Sequence, residues 1–287
     1  MGHTVTEAGR AMTPPGLSFD LHAREGLSRL QEVAVDHDVV VNASGIEDPA
    51  LVTYAGTVPF VEISASGDYL EALATTDTKK TLILGAGLAP GLTTILASAL
   101  HTIPGDEVDI AITLGAGEAH GNAAVAWTAG LIGRAIHRPP EAHPVLNLRE
   151  TRRFRTESGI RTHLRADFPD HVLVGLPRGI TVRSYLAVSS RIATGALAFA
   201  GRFPILTPMI NHAPHWGDQR WEVSARNRRT GQLHSAHGIG QSCTTALLTA
   251  HAAVAAVKDP RRGAITMADL VTMAELREMA GIEFGTP

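Results

Sequence analysis

Thr81-Leu82-Ile83-Leu84-Gly85-Ala86-Gly87-Leu88-Ala89-Pro90-Gly91-Leu92 is the stretch on which the fold turns. An apolar run ends abruptly in a glycine-rich turn, and a helical pattern covers residues 92–100. So short and apolar a strand is buried on both faces, as in a parallel sheet; a strand with one wet face would alternate. Asp38-Val39-Val40-Val41-Asn42 and Phe60-Val61-Glu62-Ile63-Ser64 follow the same grammar, and residues 3–8 and 16–21 are two earlier strand candidates. Between them lie helical patterns, with Leu27, Leu30 and Val33 on one face of the first and residues 68–75 forming another. Strands separated by helices need crossover connections, so the sheet is mostly parallel and the class is α/β.

From about residue 105 the texture changes. Val108–Leu114 alternates with period two, and Arg149, Arg152, Arg153, Arg155, Arg161 and Arg165 crowd into short β-like pieces. Residues 183–189 and 221–228 alternate with one polar face, which predicts a mixed or antiparallel sheet open on one side to solvent or ligand. Residues 244–257 are Ala-rich and predict a packed helix; a second helix is predicted over 267–279, with Thr266 as N-cap.

Composition sets the limits. A chain of 287 residues makes one large or two modest domains. With 44% hydrophobic and 18% charged residues, it can build a core and is not generally disordered. A net charge of −3 argues against nucleic acid or an anionic membrane as the main partner. The single cysteine, Cys243, excludes an internal disulfide framework and a multi-cysteine zinc site, and fits the cytoplasm. No apolar run approaches the roughly 20 residues of a spanning helix. The opening Met1-Gly2-His3-Thr4-Val5 has no signal-peptide core, so a soluble protein is expected.

Three junctions have the form strand, Gly-x-Gly, helix: Gly85–Gly87, Gly115–Gly117 and Gly238–Gly240. Each is a candidate cradle for a phosphate or carboxylate, or equally a tight turn that needs positive φ. None is a G-x-G-x-x-G fingerprint, because Pro90 and His120 stand where the last glycine belongs. Nor does an acidic residue close a strand about 20 residues beyond Gly85, where Asp109 opens one instead.

Taken in order, Gly2-His3-Thr4-Val5 with Ala8-Gly9-Arg10, residues 38–45, residues 60–64 and above all residues 84–92 resemble the saccharopine dehydrogenase-like (saccharopine reductase) family of NAD(P)-dependent oxidoreductases. Residues 115–121 with Trp127-Thr128 look like the start of that family's second domain, and Gly240-Gln241-Ser242 like the return to its first. The resemblance implies a Rossmann-like domain at 1–104 with 242–287, an α+β substrate or dimerisation domain at 105–241, and C-terminal helices packing back on the first domain. It also implies an NADP or NAD cofactor. Arg10, in place of the usual acid, would favour the 2′-phosphate, while Asp20 would lie near the adenine. Asn42, Ala43, Ser44 and Gly45 would line the ribose and nicotinamide, with Gly85 and Gly87 beside them. Arg10 is equally an ordinary solvated arginine, and Asp20 a turn residue.

The departure lies at the start. The family opens with a strand and a phosphate loop, whereas this sequence enters at the second strand. That first strand is central in the order 3-2-1-4-5-6, and its loop holds the pyrophosphate. Without it two inner edges lack a neighbour, at about 1–3 kcal/mol per unmade buried hydrogen bond. Three outcomes are open: the second and fourth strands pair directly, a neighbouring chain lends a strand or covers the edge as in a homodimer, or the sequence is internal to a longer polypeptide.

The reaction implied is reduction of a C=N or C=C bond, or oxidation of an amine, in a small molecule. Glu118 and His120, at a predicted helix start, are the candidate proton-transfer pair; a dipole-compensating acid and a structural histidine are the plainer alternatives. Trp127, His215 and Trp216, with Trp221, are candidate walls of a substrate pocket, although a core tryptophan is commoner. The 14 histidines include two H-x-x-H pairs, His212/His215 and His234/His237, but no H-E-x-x-H, and no bound metal is expected. Cys243 reads as a buried, inert thiol. The arginines of 149–165 either steer an anionic substrate or form a solvated sheet face. Beside the oxidoreductase stand a cofactor-independent isomerase, cyclase or lyase, and a non-catalytic binding subunit.

Overall fold

The computed structural model describes residues 2–117, 122–203 and 217–285, with the backbone alone at 122–125. Its first third runs β1 (Ala8–Gly9), β2 (Leu17–Ser18), α1 (Arg24–Ala34), β3 (Val40–Asn42), α2 (Ala50–Tyr54), β4 (Phe60–Glu62), α3 (Gly67–Ala74), β5 (Thr81–Leu84) and α4 (Leu92–Ser98). The middle contains β6 (Glu107–Leu114), α5 (Asn122–Leu131), the hairpin β7 (Thr151–Thr156) and β8 (Gly159–Arg165), and a π-helical turn (His171–Gly175) leading into α6 (Leu176–Arg178). Next come β9 (Thr181–Val188), α7 (Arg191–Arg202), β10 (Arg220–Asn227) and β11 (Leu233–Ile239). The last part is α8 (Gln241–Lys258), β12 (Gly263–Thr266), α9 (Met267–Leu270), α10 (Met273–Arg277) and β13 (Glu283–Phe284).

The class is α/β, with one parallel sheet and one mixed sheet. The parallel sheet has the order β12-β5-β4-β3, and every pair in it is parallel. All four residues of β5 are buried, as an unbroken apolar run demands. Alpha helix α8 lies across β3, β4 and β5, where its small side chains allow close approach. The mixed sheet has the order β13-β11-β10-β6-β9-β8-β7, with β6 and β9 parallel. Its inward face carries Val108, Ile110, Ile112, Trp221 and Val223, all buried. Between the sheets sits α4, buried from Leu92 to Ala97 and packed on β6, β10, β11 and α9. The two sheets therefore share one core.

The proposed strands at 3–8 and 16–21 shrink to two residues each, and β1 and β2 form a parallel pair of their own. Direct pairing of β1 with β3, one of the three outcomes open above, is thus corrected: β3 is an edge of the four-stranded sheet. Ala8, Gly9, Leu17 and Ser18 offer little apolar surface to bury against a larger sheet. The side chain of Thr6, just before β1, meets His37 Nε2, just before β3, at 2.8 Å. The amino ends of these two open edges are therefore close together.

The helix predicted over 267–279 breaks in two. Val271 and Thr272 are extended, because Thr272 starts a second capping box with Glu275, as Thr266 does with Asp269. Cys243 is exposed, not buried. The packed face of α8 runs through Thr244, Leu248, Ala252 and Ala256, and Cys243 lies off it. His234 and His237 are three apart on a strand and so point to opposite faces.

Candidate functional site

Ligands of open α/β sheets bind outside the carboxyl ends of the parallel strands. In this chain the ends of β3 and β4 bring together a connected polar cluster. Glu62, the last residue of β4, is only 2% exposed. Its Oε2 accepts hydrogen bonds from Asn42 Nδ2 at 2.7 Å and from the Tyr69 hydroxyl at 3.1 Å. Its Oε1 accepts the amide of Ser64 at 2.8 Å. Burial pushes the Glu62 carboxyl up to about 7, against the lowering effect of those donors. Burial and the neighbouring Glu62 raise Tyr69 as well, so its hydroxyl keeps its proton.

Around Glu62 runs a rim of small hydroxyls. Asn42 Oδ1 accepts both the amide and the hydroxyl of Ser44, at 3.2 and 2.6 Å. Glu47 Oε1 accepts the hydroxyls of Ser64 and Ser66. Ala43, Ser44 and Gly45 are exposed beside the buried Asn42, and Gly45 has φ +74°. The strand-end residues singled out in the sequence thus border this polar cluster. Arg10 and Asp20 are exposed at the ends of the separate β1–β2 pair; the Asp20 carboxylate accepts the amide of His22 at 3.0 Å.

The turn 85–91 borders this cluster, since the amide of Ala86 donates to the backbone carbonyl of Glu62 at 2.8 Å. It is closed on itself. Gly87 donates to the Pro90 carbonyl and Leu92 to the Gly87 carbonyl, while Gly91 donates to the Thr94 hydroxyl. Glycine is required at 91, where φ is +132° and a Cβ would lie 2.0 Å from the Gly87 carbonyl oxygen. The first turn of α4 already faces an anion, the wholly buried carboxylate of Asp170. Thr93 donates to both its oxygens, at 3.0 and 3.1 Å, and Thr94 to Oδ1 at 2.9 Å. Burial raises Asp170 to about 6. Gly85 and Gly87 therefore sit in a tight turn in which the amides of Ala86, Gly87, Gly91 and Leu92 are already hydrogen-bonded.

A second buried group approaches from the mixed sheet. Asp167 accepts the amide of His137 at 2.8 Å, while its other oxygen has no hydrogen-bond partner and lies near Gly67, the first residue of α3. His171 places Nδ1 2.9 Å from the Phe168 carbonyl and Nε2 2.5 Å from the His137 carbonyl. Two carbonyl acceptors favour the doubly protonated ring, whereas burial pulls His171 down and pushes Asp167 up. The His137 ring reaches Glu71 on α3 at 2.7 Å, joining this group to the first sheet's helices.

Trp127 is half-buried and packs its ring 4.8 Å from Phe168. Glu118, His120, His215 and Trp216 lie outside the described residues. Arg165 is 1% exposed and Arg152 pairs with Asp109, so neither belongs to an open steering face. Sequence reasoning missed Glu62, Tyr69, Asp167 and Asp170. A signal existed for Glu62, a lone acid inside an otherwise apolar strand. Among the described residues, no three histidine, cysteine or acidic side chains converge as a metal site, and no helix is long and apolar enough to cross a membrane. Compared with known proteins, the chain matches no family model, and no curated protein is significantly similar to it.

Proposed function

We propose that this chain is an NAD(P)-dependent oxidoreductase acting on a small molecule, preferring NADP, which reduces a C=N or C=C bond or oxidises the corresponding amine. The observation that carries this reading is Glu62: a buried acid, raised to about 7, at the carboxyl ends of a parallel sheet. Hydride addition to such a bond needs a proton for the other atom, and an acid near neutrality is suited to give it. Asn42, Ser64 and Tyr69 orient that carboxyl. The ordered resemblance of residues 2–10, 38–45, 60–64 and 84–92 to saccharopine dehydrogenase-like proteins supports the same reading.

The residues present fit one end of the cofactor better than the other. Arg10 is exposed to meet the 2′-phosphate and Asp20 the adenine, and Ala43 to Gly45 are exposed to meet a ribose beside the buried Asn42. For the pyrophosphate the described turn at 85–91 is a poor cradle, since the amides of Ala86, Gly87, Gly91 and Leu92 are already bonded and Asp170 faces α4. That observation favours a second reading, a cofactor-free isomerase, cyclase or lyase in which Glu62 exchanges a proton with substrate.

Calorimetric titration with NADPH and then NADH separates the two. Saturable binding, with an NADPH preference that Arg10→Ala removes, supports the oxidoreductase. No binding of either at millimolar concentration refutes it and leaves proton exchange. The open edge of β3 supports a homodimer, measurable as the mass from light scattering. One free, exposed thiol suits the reducing cytoplasm.

A further inference from the structure

We infer that the face formed by β7, β8 and α7 docks an extended acidic segment of a partner protein, added as a strand along β7. This surface lies on the far edge of the mixed sheet from β13 and is independent of the Glu62 site.

Its charge opposes that of the chain. Arg153 and Arg155 point to one face of β7, Arg191 bonds Ile160 opposite Arg155, Arg149 precedes the strand and Arg202 ends α7; all five are exposed. Among the described residues none of the five is in an ion pair, although the chain's net charge is −3. Arg149 and Arg191 spend one N–H each on the carbonyls of Gly201 and Ile160. The acids nearest in sequence are Glu150 and Glu157, at the two ends of β7, and Glu157 is paired with His237.

The same face is also apolar and hollow. Ile160, directly across the hairpin from Arg155, is 50% exposed. A cavity of about 210 Å³ opens between sheet and helix, lined by Thr151, Thr162 and Leu164 on one side and Arg191, Gly195 and Ala198 on the other. An apolar anchor ringed by arginines is the composition of a protein interface. Among the described residues no strand covers the outer edge of β7. Arginines on an edge strand repel a second copy of themselves, which argues against self-pairing here. They attract carboxylates, and alternate residues on an added strand recur every ~6.6 Å, the spacing of Arg153 and Arg155. A cavity and an open strand edge suit a peptide better than the flat surface of a membrane.

Fluorescence anisotropy with a labelled peptide of alternating glutamate and valine tests this. Saturable binding that weakens with salt is expected, with no binding of a lysine–valine counterpart. The double change Arg153→Glu and Arg155→Glu should weaken binding at least tenfold, while Arg29→Glu, on exposed α1, should leave it unchanged. The same glutamate–valine peptide with every backbone amide methylated cannot donate to β7 and should not bind. Equal affinity for the methylated peptide, or for the Arg153→Glu/Arg155→Glu protein with an unchanged melting curve, overturns the proposal. So does sedimentation with phosphatidylglycerol vesicles by a protein that ignores the valine peptide.

Discussion

Replacing Glu62 with glutamine isolates the ionisation on which the proposed chemistry depends. The carboxyl is raised from 4.5 to about 7, chiefly by burial. At about 1.4 kcal/mol per pH unit, this links proton binding to folding by about 3 kcal/mol. The sign follows from the raised value. The folded state holds the proton more tightly than the unfolded chain, so the stabilisation is complete below about pH 4.5 and is lost as pH rises through about 7. Between pH 5 and 8 the native protein should lose about 2.5 kcal/mol that Glu62→Gln does not lose. The absolute stability of the variant will differ, because one amide hydrogen must face either Asn42 or Ser64, at a cost of about 1–3 kcal/mol. The pH-dependent difference is free of that offset, since Asp167, Asp170 and His171 titrate in both proteins. Urea unfolding at pH 5, 6, 7 and 8 gives both curves. If they run parallel within about 0.5 kcal/mol, Glu62 ionises like an ordinary carboxylate and its role as a proton donor near neutrality fails.

Two further substitutions test the scaffold around the site. Asp170→Ala leaves the hydroxyls of Thr93 and Thr94 without their acceptor at the start of buried α4, and should lower unfolding free energy by about 2–4 kcal/mol; a melting temperature within a degree of native would refute the buried carboxylate's role. Gly91→Ala puts a methyl 2.0 Å from the Gly87 carbonyl oxygen at φ +132°, so the turn cannot keep its shape. Little soluble protein, or a melting temperature lowered by more than about 5 °C, is expected, and a native-like melt would show the turn to be adaptable.

Much of the parallel sheet was legible because its strands announce themselves. Residues 81–84 form β5 as read, and the valine run and the phenylalanine strand differ from β3 and β4 only at their ends. The mixed sheet was legible from alternation: β6 and β10 fall within a residue of the expected spans. What could not be read was pairing over distance. The strand β12, Gly263-Ala264-Ile265-Thr266, is too short and too ordinary to declare itself, yet it extends the parallel sheet beside β5. Asp170 meets Thr93 across 77 positions, and nothing local marks either residue as half of a buried contact. The glycines at 85 and 87 look the same in sequence whether their amides are free or spent. Glu62 was in plain view, quoted as a strand residue, and its chemistry emerges only once burial is known.

The segment from β12 to β13 closes both sheets, adding the strand beside β5 and then the strand beside β11. That has a kinetic consequence. Neither sheet can complete its ladder until this late-synthesised stretch is available, so the two halves cannot finish folding one after the other from the amino end. During synthesis the exposed flanks of β5 and β11 must wait together, a window in which chaperone occupancy or mispairing is decided. Once docked, the segment makes the two sheets unfold as one unit, since pulling it away removes a border strand from each.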